Sequence, residues 1–376
     1  MSDTNTLIAQ ALALAAQSLL LTSPNPRVGC VIINAEGRAI GQGHTQRAGG
    51  PHAEIMALRD ASDNGHSVLG ATAYVTLEPC AHHGRTGPCC DALIAARIKK
   101  VVAIHTDPNP LVAGQGFARI RAAGIEVEVL PPESALAQQA RELNIGFFGR
   151  MIRKKPWVRM KMAASLDGQT ALQNGVSQWI TSEAARADGH AWRARACAVL
   201  TGIGTVLADN PKLDVRLVNT PRQPHVVIVD SRLETPLDAA LFIAERVCYI
   251  YAAVPNDVKK SALEAQGAIV VYMPGNAPGT ESKVDLNAML LDLAKREINE
   301  LHVEAGHKLN GSFIREGLVD EFLVYLAPKL LGLGQGMANF GPLTTLDDAV
   351  NLKFHSIEQV GDDLRLLARP PGRDRF

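Results

Sequence analysis

The sequence predicts an α/β protein of two domains, on three observations. Strand-like and helix-like segments alternate through the first half, 376 residues exceed one ordinary core, and a basic, proline-containing break at Arg153-Lys154-Lys155-Pro156 precedes a fresh strand. The apolar stretch Leu7 to Leu20 follows Asp3, lacks a basic leader and falls short of the roughly 18 residues a membrane span needs, so it reads as an amphipathic first helix. Strands are expected near Val28 to Ile33 and Ala39 to Gly43, and a helix from His52. Residues 71–77, ATAYVTL, are rich in β-branched and aromatic side chains and read as a strand, whereas Asp91 to Arg97 reads as a helix. A strand at Val101 to His105, a short helix, a strand at Glu126 to Leu130 and a helix ending near Leu143 complete a first domain taken as residues 1–150. The second, 151–376, opens with a strand at Trp157 to Met162 and carries another at His225 to Val229.

Composition narrows the function. Thirty-eight basic and 38 acidic residues cancel, the pI is near 7.2, and no basic run interleaves with aromatic residues, so neither nucleic acid nor a membrane is an expected partner. Six cysteines in so long a chain, several suited to a metal, point to a reducing compartment, read as the cytoplasm, and not to a disulfide framework.

The strongest chemical signal lies in the first third. Pro51-His52-Ala53-Glu54, then Thr76-Leu77-Glu78-Pro79-Cys80, then Pro88-Cys89 supply an imidazole, two thiols and one further carboxylate. Zinc that catalyses takes three protein ligands and keeps a fourth position for water, whereas structural zinc is closed by four. His52, Cys80 and Cys89 make three. Glu54, two residues beyond the histidine, stands where the HxE…PCxxC nucleobase deaminases keep a non-ligand general acid/base. Eight residues, Ala81 to Pro88, separate the two cysteines, against two in the common form. The reading is a loop inserted between ligands that still meet at the start of one helix, whose N-terminus favours thiolate. Cys90 competes with Cys89, and whichever is unused is core. A lone HAE or a single buried cysteine is ordinary packing; the three in order, each at an element boundary, are not.

The second half is less explicit. Thr201-Gly202-Ile203-Gly204-Thr205 lacks the third glycine of a dinucleotide fingerprint, and Gly306-His307-Lys308-Leu309-Asn310-Gly311-Ser312 has two glycines at P-loop spacing without the lysine. Each cluster nonetheless follows an expected strand and opens an expected helix, an arrangement that turns backbone N–H groups toward a phosphate; tight turns alone explain the glycines equally well. Arg193 and Arg216 could grip a phosphate in bidentate fashion, or simply be solvated.

Taken in order, TLEPCAHHGRTGPC, SLDGQTAL, SQWIT, LADNP and VEAG resemble the RibD family of bifunctional riboflavin-biosynthesis enzymes over nearly the whole chain. The resemblance implies a cytidine-deaminase-like N-terminal domain and a dihydrofolate-reductase-like C-terminal domain, one Zn2+ per chain and NADPH, and a phosphoribosylaminopyrimidine substrate; a homo-oligomer is expected because an apolar face on a small reductase domain commonly pairs with its twin. It implies hydrolytic removal of a ring amine followed by reduction of the ribosyl group to ribityl. Residue by residue it puts zinc on His52, Cys80 and Cys89 with Glu54 as proton shuttle. It puts the substrate on Ser177, Arg193, Leu213, Arg216 and Glu304. The dinucleotide falls to Ala163, Trp179, Thr205, Asp209, Ser231 and the run Gly306, His307, Lys308, Leu309, Asn310, Gly311 and Ser312, with Lys161 and Asp167 near the reacting sugar. Ser231-Arg232 would offer a hydroxyl and a cation to a 2′-phosphate. Gly87 stands where the family often has proline. Two rivals remain: a tRNA or nucleoside deaminase with an accessory domain, which the neutral charge disfavours, and a zinc-stabilised ligand-binding protein, which would have no use for Glu54.

Overall fold

The computed structural model describes residues 4–82, 87–110 and 112–376, so the middle of the inserted cysteine loop, residues 83–86, lies outside the described residues. The chain forms two compact units, Met1–Arg153 and Lys154–Phe376.

The first unit runs α1 (Thr4–Gln17), β1 (Gly29–Ile33), β2 (Ala39–His44), α2 (Ala53–Asp63), β3 (Thr72–Val75), α3 (Cys89–Ala95), β4 (Lys100–Ala103), α4 (Gln115–Ala122), β5 (Glu126–Val129), α5 (Ala135–Leu143) and α6 (Ile145–Arg153). Its sheet has the order β2-β1-β3-β4-β5, antiparallel at β2-β1-β3 and parallel from β3 to β5. α1 starts three residues before the expected apolar stretch and buries Leu7, Ile8, Ala11, Leu12 and Ala15, one stripe at helical spacing. α6 moves the domain break from 150 to 153: Ile145, Phe147 and Phe148 are buried in this unit, and the helix they anchor continues through Arg153. Gly41 and Gly43 let α2 lie directly on β2, since a Cβ at either would come within 2.3 Å of the Ala57 carbonyl oxygen or 2.7 Å of the Ala57 nitrogen. That contact sets the height of the first turn of α2, where His52 and Glu54 sit.

The second unit runs β6 (Trp157–Ser165), β7 (Gln169–Leu172), α7 (Glu183–Arg195), β8 (Ala198–Gly202), α8 (Ile203–Asp209), β9 (His225–Val229), β10 (Cys248–Ala252), α9 (Asp257–Ala265), β11 (Ala268–Tyr272), α10 (Leu286–Lys295), β12 (Glu300–Val303), α11 (His307–Arg315), β13 (Glu321–Ala327), β14 (Gly334–Gly336), β15 (Lys353–Val360) and β16 (Asp363–Arg369). Its sheet has the order β11-β10-β9-β8-β12-β6-β13-β16-β15, parallel from β11 to β13 and antiparallel at the β13-β16-β15 edge. Parallel strands buried on both faces need near-continuous apolar runs, and AVLTG, HVVIV and CYIYA at β8, β9 and β10 supply them. Charge nevertheless enters this core. Fully buried Arg159 on β6 bridges Glu300 on β12, at 3.1 Å, and Glu321 on β13; Arg195 and Arg369 complete the set at 2.7 and 2.6 Å. Pairing offsets much of the desolvation cost that each buried charge still carries.

Candidate active sites

In the first unit His52 is the N-cap residue of α2, Cys80 lies in the loop after β3, and Cys89 opens α3. Their ligand atoms all lie within 4.8 Å of one another. His52 Nδ1 is 3.6 Å from Cys80 Sγ and 3.4 Å from Cys89 Sγ, and the Cys89 backbone N–H donates to Cys80 Sγ at 3.3 Å. Tetrahedral zinc with ordinary Zn–N and Zn–S lengths has an N···S edge of about 3.6 Å, so the three groups fit that ion, with Nδ1 as the histidine donor. Cys90 does not belong to the cluster: its sulfur faces Asp91 at 3.6 Å and Arg119 at 3.9 Å.

The electrostatics match a metal-binding, proton-handling site. Cys80 is drawn down to about 4, chiefly by the hydrogen bond from the Cys89 thiol, and Cys89 is pushed up by the same bond. Glu54, buried in the second helical position of α2, is pushed up to about 7, chiefly by burial and then by the negative charge of Cys80. Glu78, one of two side chains here that the sequence reading left without a role, accepts from the backbone N–H groups of Asp107, Gly114 and Phe117 at 3.1, 2.9 and 3.1 Å, and so ties the ligand loop to α4. Asp107 is the second: burial lifts its carboxyl to about 7. Neither is announced by spacing, although Glu78 directly precedes Pro79-Cys80.

In the second unit the residues expected to hold substrate divide. Arg193, on the last turn of α7, grips Glu304 in bidentate fashion at 2.7 and 3.0 Å and donates to the Asp214 carbonyl. Arg216 pairs with Asp214 at 2.7 Å, and Leu213 adopts φ +52. Half-buried Lys161 adds its charge to Glu304, whose carboxyl is held well below the usual range by Arg193 and Lys161 despite its desolvation. His190 and His302 complete this cluster and were missed by sequence reading, because nothing in their spacing marks them; burial lowers them to about 4 and about 3. Ser177 lies on the exposed connection before α7. Asp167 lies past the end of β6. Four strand residues, roughly 13 Å at about 3.3 Å each, carry the chain from Lys161 to Ser165, and the Asp167 carboxylate is occupied by the Ser165 hydroxyl and the N–H groups of Leu331 and Gly332. It closes the β6–β7 turn.

The expected dinucleotide residues follow the strand order. Ser231 succeeds β9, Thr205 succeeds β8, Gly306 succeeds β12 and Ala163 lies on β6, which are four adjacent parallel strands ending on one edge. Thr205 Oγ1 abuts Gly306, 3.8 Å from where its Cβ would be, and Leu309 abuts Gly202. Carboxyl edges of parallel strands with helix N-termini above them suit phosphates. The run 306–312 is only partly available, because Asn310 donates to the Met337 carbonyl at 3.1 Å, Gly311 backs onto Asn339, and the Ser312 hydroxyl bonds Lys308 and Arg315. Gly306, His307 and Lys308 form the open first turn. Trp179 is 61% exposed with the Arg186 guanidinium 4.5 Å from its ring centre, and Asp209 is exposed at the end of α8.

Fold and site together define a zinc-site deaminase domain joined to a reductase domain. Residues 1–105 match the cytidine and deoxycytidylate deaminase zinc-binding region, and 156–366 match the RibD C-terminal domain. The chain is 43% identical to the riboflavin biosynthesis protein RibD of Escherichia coli, covering 96% of this chain and 97% of that one. It superposes on Acinetobacter baumannii RibD with a TM-score of 0.86 at 40% identity, covering 98% of each chain. The Thermotoga maritima diaminohydroxyphosphoribosylaminopyrimidine deaminase/5-amino-6-(5-phosphoribosylamino)uracil reductase gives 0.83 at 32%, with the same coverage. The chain belongs to the RibD family and is a bifunctional deaminase and reductase of riboflavin biosynthesis, with a cytidine-deaminase-like and a dihydrofolate-reductase-like domain acting on a phosphoribosylaminopyrimidine.

Proposed function

We propose that His52, Cys80 and Cys89 hold one zinc ion and that Glu54 moves the proton in hydrolytic deamination of 2,5-diamino-6-(5-phosphoribosylamino)pyrimidin-4(3H)-one. The observation that carries this reading is the cluster of three ligand atoms within 4.8 Å with a fourth, carboxylate-bearing residue buried beside it. Zinc bound there supplies a Lewis acid that brings a water's pKa toward about 7. Glu54, lifted to about 7 by burial, takes one proton from the attacking water at its carboxyl and delivers it to the ring nitrogen, then takes a second from the hydroxyl of the adduct and delivers it to the amine that departs as ammonia. A carboxyl at its ordinary value would hold either proton poorly.

In the reductase domain Arg193, Arg216, Leu213, Glu304 and Ser177 bind the phosphoribosyl product, and Lys161 orients its sugar. Ala163, Trp179, Thr205, Asp209, Ser231 and the first turn of α11 bind NADPH, which supplies the hydride that converts ribosyl to ribityl. The protein's own contribution there is placement, since the cofactor carries the chemistry. No helix among the described residues is long and apolar enough to cross a membrane; the cytoplasm is the proposed location. A homo-oligomer is proposed through edge strand β15, where Phe354 is 67% and Ile357 56% exposed.

The test supplies the diaminopyrimidine ribotide with and without NADPH and follows ammonia and NADPH absorbance separately. Ammonia should appear without NADPH, and NADPH should be oxidised only after ammonia has been released. Zinc-loaded protein that releases no ammonia, or NADPH oxidation that runs ahead of it, would overturn the reading.

A further inference from the structure

Residues 212–216, between α8 and β9, carry two of the proposed substrate contacts, Leu213 and Arg216, yet belong to no helix or strand. Backbone polar groups in a loop must find partners, and here side chains supply them at every residue. Arg246 donates to the carbonyls of Lys212 and, at 2.7 Å, Leu213. Arg193 donates to the Asp214 carbonyl. The Gln223 amide pairs with Val215 in both directions, accepting from its N–H at 2.7 Å and donating to its carbonyl at 3.0 Å. His190 Nδ1 accepts from the Arg216 N–H at 3.3 Å.

The partners are themselves fixed. Arg246 is 9% exposed and also donates to the Leu241 carbonyl at 2.9 Å, and His190 is 5% exposed, three residues before Arg193 on the same face of α7. Leu213 is held at φ +52, a backbone conformation that L side chains disfavour. A loop with one disfavoured residue and no ladder of its own would otherwise sample many conformations, and binding would have to select one of them at the cost of affinity.

We propose that Arg246, Gln223 and His190 are positioning residues for the reductase: a side-chain cradle that presents Leu213 and Arg216 to the phosphosugar in one conformation. The inference rests on the reading that Leu213 and Arg216 touch substrate.

The test uses the full-length, zinc-loaded enzyme and measures KM for 5-amino-6-(5-phosphoribosylamino)uracil, KM for NADPH, and kcat of the reductase. Two hydrogen bonds at about 1 kcal/mol each amount to a change of roughly thirtyfold. Gln223→Ala and Arg246→Met should therefore raise KM for the ribosyl substrate by about that factor and leave KM for NADPH unmoved. His190→Leu should act in the same direction, and His190→Asn, whose Oδ1 can take the place of Nδ1, should restore most of the loss. Should Arg246→Met fail to fold, Gln223→Ala and the His190 pair decide. A rise in both KM values, a fall in kcat alone, or no change in Gln223→Ala and His190→Leu overturns the cradle. Arg216→Ala separates the two levels: if it leaves the ribosyl KM unchanged, the substrate reading is what fails; if it raises that KM while the cradle variants do not, only the cradle fails.

Discussion

Glu54→Gln should remove the proposed proton shuttle while leaving the three proposed zinc ligands in place. General acid–base catalysis contributes about 10²- to 10⁴-fold, so kcat for ammonia release should fall by that factor, roughly 3–5 kcal/mol of barrier. Zinc content should stay at one per chain, because His52, Cys80 and Cys89 are untouched. The same residue makes a second, independent forecast. In the metal-free protein its carboxyl titrates near 7 instead of the ordinary 4.5. As pH rises between these values the unfolded chain gives up a proton that the folded chain retains, so the wild type loses stability across that window. About 2.5 units at 1.36 kcal/mol each is ~3 kcal/mol. Metal-free Glu54→Gln should thus be more stable than metal-free wild type by about 3 kcal/mol at pH 8, with the advantage fading as pH falls toward 4.5. Ammonia assay, metal analysis and denaturant titration at several pH values read all three. Turnover within tenfold of wild type refutes the shuttle, and loss of zinc shows that the carboxylate is a ligand.

Arg232→Ala should lower the preference for NADPH over NADH by about tenfold, the scale of one charge-assisted bond; an unchanged ratio of kcat/KM values excludes Arg232 from recognition of the 2′-phosphate. His190 and His302 are kept neutral by burial, with pKa lowered to about 4 and about 3. They cost nothing above the unfolded value near 6.5, and below it the unfolded chain binds protons that the folded chain refuses. Stability should therefore decline from pH 6.5 downward, and His302→Leu should make the decline shallower; an identical slope in the variant removes His302 from the cause. Phe354→Lys should shift the sedimentation coefficient to that of a monomer, and an unchanged oligomer sends the interface elsewhere.

Metal chemistry made the first site legible. Few residue types bind zinc, they must occur in a workable order, and an unliganded glutamate is meaningful only beside a catalytic ion. The choice between Cys89 and Cys90 was less secure in one dimension. Neighbouring residues on a helix point about 100° apart, so only the phase of α3 decides that Cys89 turns to His52 while Cys90 turns to Arg119. Asp167 shows the other case. The N–H groups of Leu331 and Gly332, 164 and 165 residues away, hold its carboxylate, a pairing that no local pattern marks.

Alternating segments in the first half, the break before Trp157 and the candidate metal cluster of His52, Cys80 and Cys89 could be read from residue types alone, because local periodicity and ligand chemistry are properties of short stretches of chain. Strand order could not. β12 inserts between β8 and β6, almost a hundred residues or more from either in sequence, and that insertion brings Glu304 to Arg193 and Gly306 to Thr205. Which glycine clusters share an edge, which arginine finds its carboxylate and which buried histidines stay neutral are long-range outcomes. They depend on how distant apolar strands minimise exposed surface together, and no local pattern encodes that.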